Sequence, residues 1–312
     1  MVQAAGLAPS VHNTQPWRFV LRPDGLELHA DDTRRLQVLD RDGRQLHLSC
    51  GAAIFHARLA ARALGLDVAV QLLPDASAPD RLADLTVLQG AAPTEDEIRL
   101  ASAILLRHTH RGAFGIRVVS PALVDRLRLD SEAEGALLYE ISTRDDLIEL
   151  EVMLSRADAE EQQDGAYRDE LRKWVHADDS QGDGIPAAAL EPAPGSSLRQ
   201  RDFTLSHEPG IDGSTPLADH PAVLILSTAD DDPRSWLQAG QALAALLLRA
   251  ADHGVQAQPL GQVTDALAHR LGLRAALGLV GLPQLVLRLG YASHTGATPR
   301  REVEDLLATV AR

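Results

Sequence analysis

Apolar positions divide the chain into blocks of distinct period. Trp17 to Leu21 and Leu26 to His29 are short apolar-containing runs on either side of Pro23-Asp24-Gly25, and they predict a hairpin. From Gly51 to Gly65, Ile54, Leu59, Ala60, Ala63 and Leu64 keep roughly one helical face, so a helix is expected there, stopped by Gly65. Asp67 to Leu73 and Leu82 to Leu88 read as strands. Thr94-Glu95-Asp96-Glu97 is a capping-box pattern. It opens a helix expected to bury Ile98, Ala101, Ile104 and Leu105 and to run out near Arg107. Ser120-Pro121 opens another, with proline in the first turn, where a missing N–H is tolerated.

From about Ser155 to Leu217 the periodicity fades. Glu160 to Gly165, Gly182-Asp183-Gly184-Ile185-Pro186 and Glu191-Pro192-Ala193-Pro194-Gly195 predict short helices joined by Pro/Gly-rich loops. A lid-like insertion and a solvated linker share this composition. Beyond it, Ala222 to Leu226 and Leu285 to Leu289 read as buried strands, and Leu237 to Gly254 as a strongly apolar helix. Leu48-Ser49-Cys50-Gly51-Ala52-Ala53 aligns with Leu237-Gln238-Ala239-Gly240-Gln241-Ala242, keeping Leu, Gly and Ala in register. The same offset matches Leu59 with Leu248, Ala61 with Ala250 and Gly65 with Gly254. Alanine-rich helices match by accident, but the register suggests two related halves, and a duplicated chain can fold as a covalent symmetric dimer.

Composition narrows the function classes. The chain has 312 residues, with 30 Lys and Arg against 44 Asp and Glu, a net charge of -14 that argues against nucleic-acid binding. Aromatics at 3% leave little for a base-stacking platform. A single cysteine, Cys50, excludes an internal disulfide and multi-cysteine metal sites; it reads as a small buried residue. No apolar run approaches the ~20 residues a membrane helix needs. Nor does MVQAAGLAPS resemble a secretory signal, so a cytoplasmic protein without a membrane partner is expected.

Common catalytic signatures are missing: the sequence contains no G-x-G-x-x-G, P-loop, G-x-S-x-G or H-E-x-x-H, and Lys173 is its only lysine. His108-Thr109-His110 has no nearby carboxylate cluster, so no metal is expected. Two segments stand out. Ala8-Pro9-Ser10-Val11-His12-Asn13-Thr14-Gln15-Pro16-Trp17-Arg18-Phe19 gathers hydroxyl, amide and imidazole groups between two prolines. It suits either a surface turn or recognition of a polar heterocycle or ribityl chain. In Arg107-His108-Thr109-His110-Arg111-Gly112-Ala113-Phe114, two arginines four apart flank a hydroxyl, an arrangement that suits a terminal phosphate. The preference of cations for helix C-termini accounts for Arg107 but not for Arg111. Arg300-Arg301 near the C-terminus suits the same anion or simple solvation.

Together these segments resemble the FMN-dependent nitroreductase family. Ala8 to Phe19 is similar to its P-S-x-x-N-x-Q-P-W flavin segment, and Arg107 to Arg111 to its R-[RH]-[ST]-x-[RK] segment. The Acg-type branch, two nitroreductase-like halves fused in one chain, is the nearer likeness. Its further signs are Gly43-Arg44, Ser102 to Arg111, Gly184-Ile185-Pro186 and Thr298-Pro299-Arg300-Arg301. The resemblance implies an α+β nitroreductase-like fold, a pseudo-dimer with antiparallel sheets flanked by helices. Its halves would be 1–93 and 94–312, with the insertion or lid at about 155–217.

By the same resemblance, one FMN lies between the halves. Arg107, His108, Thr109 and Arg111 surround its phosphate and ribityl end, and Arg300 or Arg301 closes on it. Pro9, Ser10, His12, Asn13, Gln15 and Trp17 approach the ribityl and ring, with Pro259, Leu260 and Gly261 near N5. No residue need act as acid or base. Two departures are visible: only eight residues precede Pro9, and in this branch the insertion covers the flavin, hindering nicotinamide and bulky nitro compounds. The implied function is an NAD(P)H-dependent nitro or quinone reductase acting on small electron-poor acceptors. The alternatives are an FMN-sequestering or redox-sensing protein with little turnover, and a flavin-free interaction protein. With both halves in one chain, a monomer or weak homodimer is expected.

Overall fold

A computed structural model describes residues 1–190, 198, 201, 203, 220–292 and 297–308. Of the insertion expected at about 155–217, residues 191–197, 199–200, 202 and 204–217, which include Glu191 to Gly195, lie outside the described residues.

After a short helix α1 (Val2–Gly6), the predicted hairpin forms from β1 (Trp17–Arg22) and β2 (Gly25–Ala30), with Trp17 opposite Ala30. Helix α2 (Arg44–Ala63) leads to β3 (Leu66–Leu72) and β4 (Arg81–Gln89). The four strands form an antiparallel sheet ordered β1-β2-β4-β3. Its inward side chains, Trp17, Phe19, Leu26, Leu28, Leu82 and Leu85, pack with Ile54 and Ala57 of α2. Helix α2 begins at Arg44, not at Gly51 as the apolar period suggests. Its N-cap, Gly43, has no side chain to offer, so the cap comes from further back. The buried Asp40 carboxylate accepts the N–H groups of Gln45 and Leu46.

Helix α3 (Glu95–Ala103) has the predicted capping box: Thr94 Oγ1 accepts the Glu97 N–H, and the Glu97 carboxylate accepts the Thr94 N–H. The buried face differs from the expected one. Ile98 and Leu105 are exposed, whereas Leu100, Ala103 and Ile104 pack against Leu59 and Leu248. Small Ala103 lets the helix approach its neighbours, and the helix ends there, which takes Leu105 out of register. Helix α4 (Pro121–Ala133) starts as predicted, with Ser120 Oγ accepting the Leu123 N–H.

Next come β5 (Leu137–Ile141), α5 (Arg144–Gln163), α6 (Gly165–Trp174) and a short parallel pair, β6 (Val175–His176) with β7 (Ile185–Pro186). Ser155 falls inside α5, so the compositional change there is not an element boundary. The chain continues through β8 (Ala222–Thr228), α7 (Pro233–Asp252), β9 (Gln256–Leu260), α8 (Gln262–Asp265), α9 (Leu267–Ala276), β10 (Leu282–Gly290) and α10 (Val303–Leu306). Strands β5-β8-β10-β9, in that order, make a second antiparallel sheet. The two sheets have the same connectivity: α2 joins the second strand to the edge strand in one, and α7 does so in the other.

Helices α2 and α7 pack along one another, and each inserts a leucine into the other sheet's core. Leu48 of α2 is buried among the residues of the second sheet, and Leu237 of α7 among those of the first. Gly65 and Gly254, at φ 76 and 69, follow the ends of the two helices in the left-handed conformation. Among the described residues, no helix is long and apolar enough to cross a membrane.

Candidate functional site

The loop before β1 is held in an unusual conformation. His12, Asn13 and Gln15 have φ of 46, 56 and 49, a left-handed region that costs residues with a side chain about 1–2 kcal/mol, with Asn the better tolerated type. Specific bonds hold it there. Asn13 Nδ2 donates to Gly184 O and Pro299 O, both at 2.9 Å. Gln15 Nε2 donates to Gly182 O at 2.9 Å, while Gln15 Oε1 accepts the Arg301 N–H at 3.0 Å. The Gln15 N–H in turn donates to Ser10 Oγ at 3.0 Å. Both amides thus tie the loop to segments far away in sequence, and Pro9 and Ser10 remain half-buried beside them. The Trp17 side chain lies fully in the core of the first sheet, and Arg301 donates to the carbonyls of Gln15 and Trp17. Ala308 N–H donates to Phe19 O, so the C-terminal segment runs along β1 and carries Arg300 to the loop.

Arg107 follows α3 and is 5% exposed; its Nη2 donates to Leu7 O at 3.5 Å, and its Nε has no partner. Arg300 donates to Thr298 Oγ1 and to the carbonyls of Thr298 and Pro299, and its Nε is also unpartnered. Burial and the neighbouring Arg300 and Arg111 lower Arg107 to about 9. Burial lowers Arg111 and Arg300 to about 10. Half-buried His108 is lowered by burial and by Arg107 and Arg300. Among the described residues, no carboxylate pairs with Arg107 or Arg300, although the chain carries 14 more acidic than basic residues. A buried cation without a counter-ion costs several kcal/mol, so this arginine cluster has the charge that an anion would offset.

Thr109 bridges Ala257, and the His110 N–H donates to Ala257 O at 2.9 Å. This lays the arginine segment beside the start of β9; at the far end of that strand Leu260 turns its side chain into the core and Pro259 and Gly261 are half-buried. Segments 9–17, 107–111 and 300–301 therefore converge, whereas 259–261 is tied to them only through Ala257, two residues before Pro259.

Three neighbours of this cluster were not singled out by sequence. His56 on α2 donates from Nδ1 to Ala4 O, and burial and Arg107 push it down to about 3. Nothing in the helical period distinguishes it from a core residue. Arg201 and Phe203 come from the insertion, where no periodicity marks them. Arg201 Nη1 lies 3.1 Å from His12 Nε2, and the Phe203 ring lies 5.6 Å from the His12 ring and 5.7 Å from the Arg111 guanidinium carbon.

The Nitroreductase family model matches residues 150–291. A Mycobacterium tuberculosis H37Rv protein, provisionally named NAD(P)H nitroreductase Rv3131, is 32% identical over 309 residues, covering 96% of this chain and 88% of the relative. The chain belongs to the nitroreductase family. The Acg protein of the same organism, provisionally named in the same way, is 32% identical over 324 residues, 100% of this chain and 95% of its own. The family model begins in α5 and stops just after β10, outside the segments 9–17, 107–111 and 300–301. The Acg alignment runs through all three. Among solved structures, a Bacteroides fragilis nitroreductase with bound FMN aligns with 68% of this chain and 98% of its own, at 12% identity and a TM-score of 0.42.

Proposed function

We propose that this chain is an FMN-binding oxidoreductase that uses NAD(P)H to reduce small electron-poor acceptors, nitroaromatics or quinones. The carrying observation is the pair of arginines, buried Arg107 and half-buried Arg300, each with an unpartnered Nε and, among the described residues, no carboxylate partner. A phosphate monoester supplies what they lack: two negative charges and several acceptor oxygens. The names of the mycobacterial relatives support the choice of NAD(P)H and nitro compounds.

Bound there, FMN supplies two-electron hydride chemistry at its ring N5. The residues of the chain bind and orient. Arg107, Arg111 and Arg300 hold the phosphate, with His108 and Thr109 at its margin. Asn13 and Gln15 act at one remove, fixing the loop that carries Ser10 and His12. The segment Pro259-Leu260-Gly261, which continues the strand beside Thr109 and His110, would meet the ring through its backbone. In this reading the matched connectivity of the two sheets reflects two halves, 1–93 and 94–312, that enclose one FMN and need no second copy. The insertion at about 155–217 is a lid, and the cytoplasm is the compartment.

A second reading is favoured by the contacts of Arg201 and Phe203 with His12 and Arg111. A lid closed in this way leaves an FMN-sequestering or redox-sensing protein with little turnover. Steady-state oxidation of NADPH and NADH with a nitroaromatic or quinone acceptor separates the two. Turnover supports the reductase. A yellow protein that leaves both nicotinamides unoxidised supports sequestration.

A further inference from the structure

His12 is buried, 7% exposed, and its ring meets the edge of Phe203. Its Nε2 lies 3.1 Å from Arg201 Nη1. A guanidinium only donates, so Nε2 must accept, and a neutral ring then carries its proton on Nδ1. Yet Nδ1 has no hydrogen-bond partner despite its burial. An unmatched buried donor costs about 1–3 kcal/mol, and here it sits on a loop whose backbone is also held at φ 46.

Arg201 is itself rigidly placed. Its guanidinium donates to Glu161 of α5 at 2.8 and 3.1 Å and to Asp265 of α8 at 2.5 Å. The charged groups facing His12 are thus Arg201 from the insertion and Arg111 from the arginine segment, with Glu161 and Asp265 behind Arg201. Burial, Arg201 and Arg111 all hold the imidazole well below its usual range, so it stays neutral.

We propose that Arg201 is a positioning residue that fixes His12 as the Nδ1–H tautomer, and that His12 donates this proton in a hydrogen bond to the cofactor held by Arg107, Arg111 and Arg300. The donation step rests on the FMN reading; the tautomer does not. The pair makes an insertion residue a determinant of cofactor affinity, through a side chain that carries no charge.

Nitrogen-15 NMR of histidine-labelled protein, with and without FMN, tests both parts. The flavin-free protein is expected to show a neutral Nδ1–H His12 at neutral pH, and added FMN to shift the Nδ1 resonance. Arg201→Lys keeps a cation between Glu161 and Asp265 but lacks the fork that reaches His12, so it should show a tautomer mixture. His12→Phe keeps the ring contact and should weaken FMN binding about tenfold, measured by flavin fluorescence quenching. A protonated or Nε2–H His12 in the wild-type protein overturns the positioning role without reference to flavin. An unmoved Nδ1 signal in the FMN-loaded protein overturns the donation step alone, whereas failure of the wild type to bind FMN defeats the cofactor reading and leaves the tautomer result intact.

Discussion

A Cβ placed on Gly51 would lie 2.2 Å from the carbonyl oxygen of Leu237, and one placed on Gly240 would lie 2.1 Å from that of Leu48. The contact is reciprocal, and the four residues are those that the internal alignment pairs. A self-complementary contact of this kind is what a two-fold interface requires. It also explains why both positions lack a side chain: the backbones of α2 and α7 touch there.

Alanine at either glycine should therefore force the two helices apart. Gly51→Ala and Gly240→Ala are each expected to lose about 2–4 kcal/mol in urea denaturation, more than overpacking at an ordinary core position. A loss below about 1 kcal/mol would mean that the helices can slide without cost.

Asp40 makes stability depend on pH. Burial raises its carboxyl from 3.8 to about 6, against the opposing effect of the Gln45 and Leu46 N–H bonds. The folded protein therefore holds this proton more tightly than the unfolded chain. The resulting stabilisation is full below about pH 4 and is lost as the pH rises through 6. Between pH 4 and 7 the wild type should lose on the order of 3 kcal/mol relative to Asp40→Asn, measured as the difference between the two denaturation profiles. Parallel profiles would show that Asp40 ionises as it does in solvent.

Asn13 and Gln15 join the site loop to residues 182–184 and 299–301. Asn13→Ala and Gln15→Ala leave these backbone groups without partners, at a cost of about 1–3 kcal/mol each. Hydrogen exchange should accelerate at Gly184, whose N–H donates to Asn13 O, and at Arg301, whose N–H donates to Gln15 Oε1, while the amides of α2 and α7 stay protected. Exchange rising equally in both helices would indicate global loosening instead.

Much of this architecture was legible in the sequence because it rests on local signals. Thr94 and Glu97 cap their helix within four residues, Pro23-Asp24-Gly25 turns the first hairpin, and Ser120-Pro121 opens α4. The start of α2 was hidden because its cap, Asp40, lies outside the usual capping position. The buried face of α3 was misread because apolar residues occupy more than one of its faces, and only contact with Leu59 and Leu248 selects Leu100 and Ala103. At the site, Arg107, Arg111 and Arg300 were visible as charge concentrated in an acidic chain. His56 and Arg201 were not, since each joins the cluster only through tertiary contacts.

The central claim is that Arg107 and Arg300, which have no carboxylate partner among the described residues, bind a phosphate. The most direct measurement is the visible absorption of the purified, FMN-reconstituted protein beside that of an Arg107→Ala/Arg300→Ala variant. The wild type should be yellow and release one FMN per chain on denaturation. The variant should lose on the order of 3–6 kcal/mol of cofactor affinity, two charge-assisted bonds, and purify colourless while remaining folded. A double variant as yellow as the wild type, or a wild type that takes up no FMN, would contradict the account.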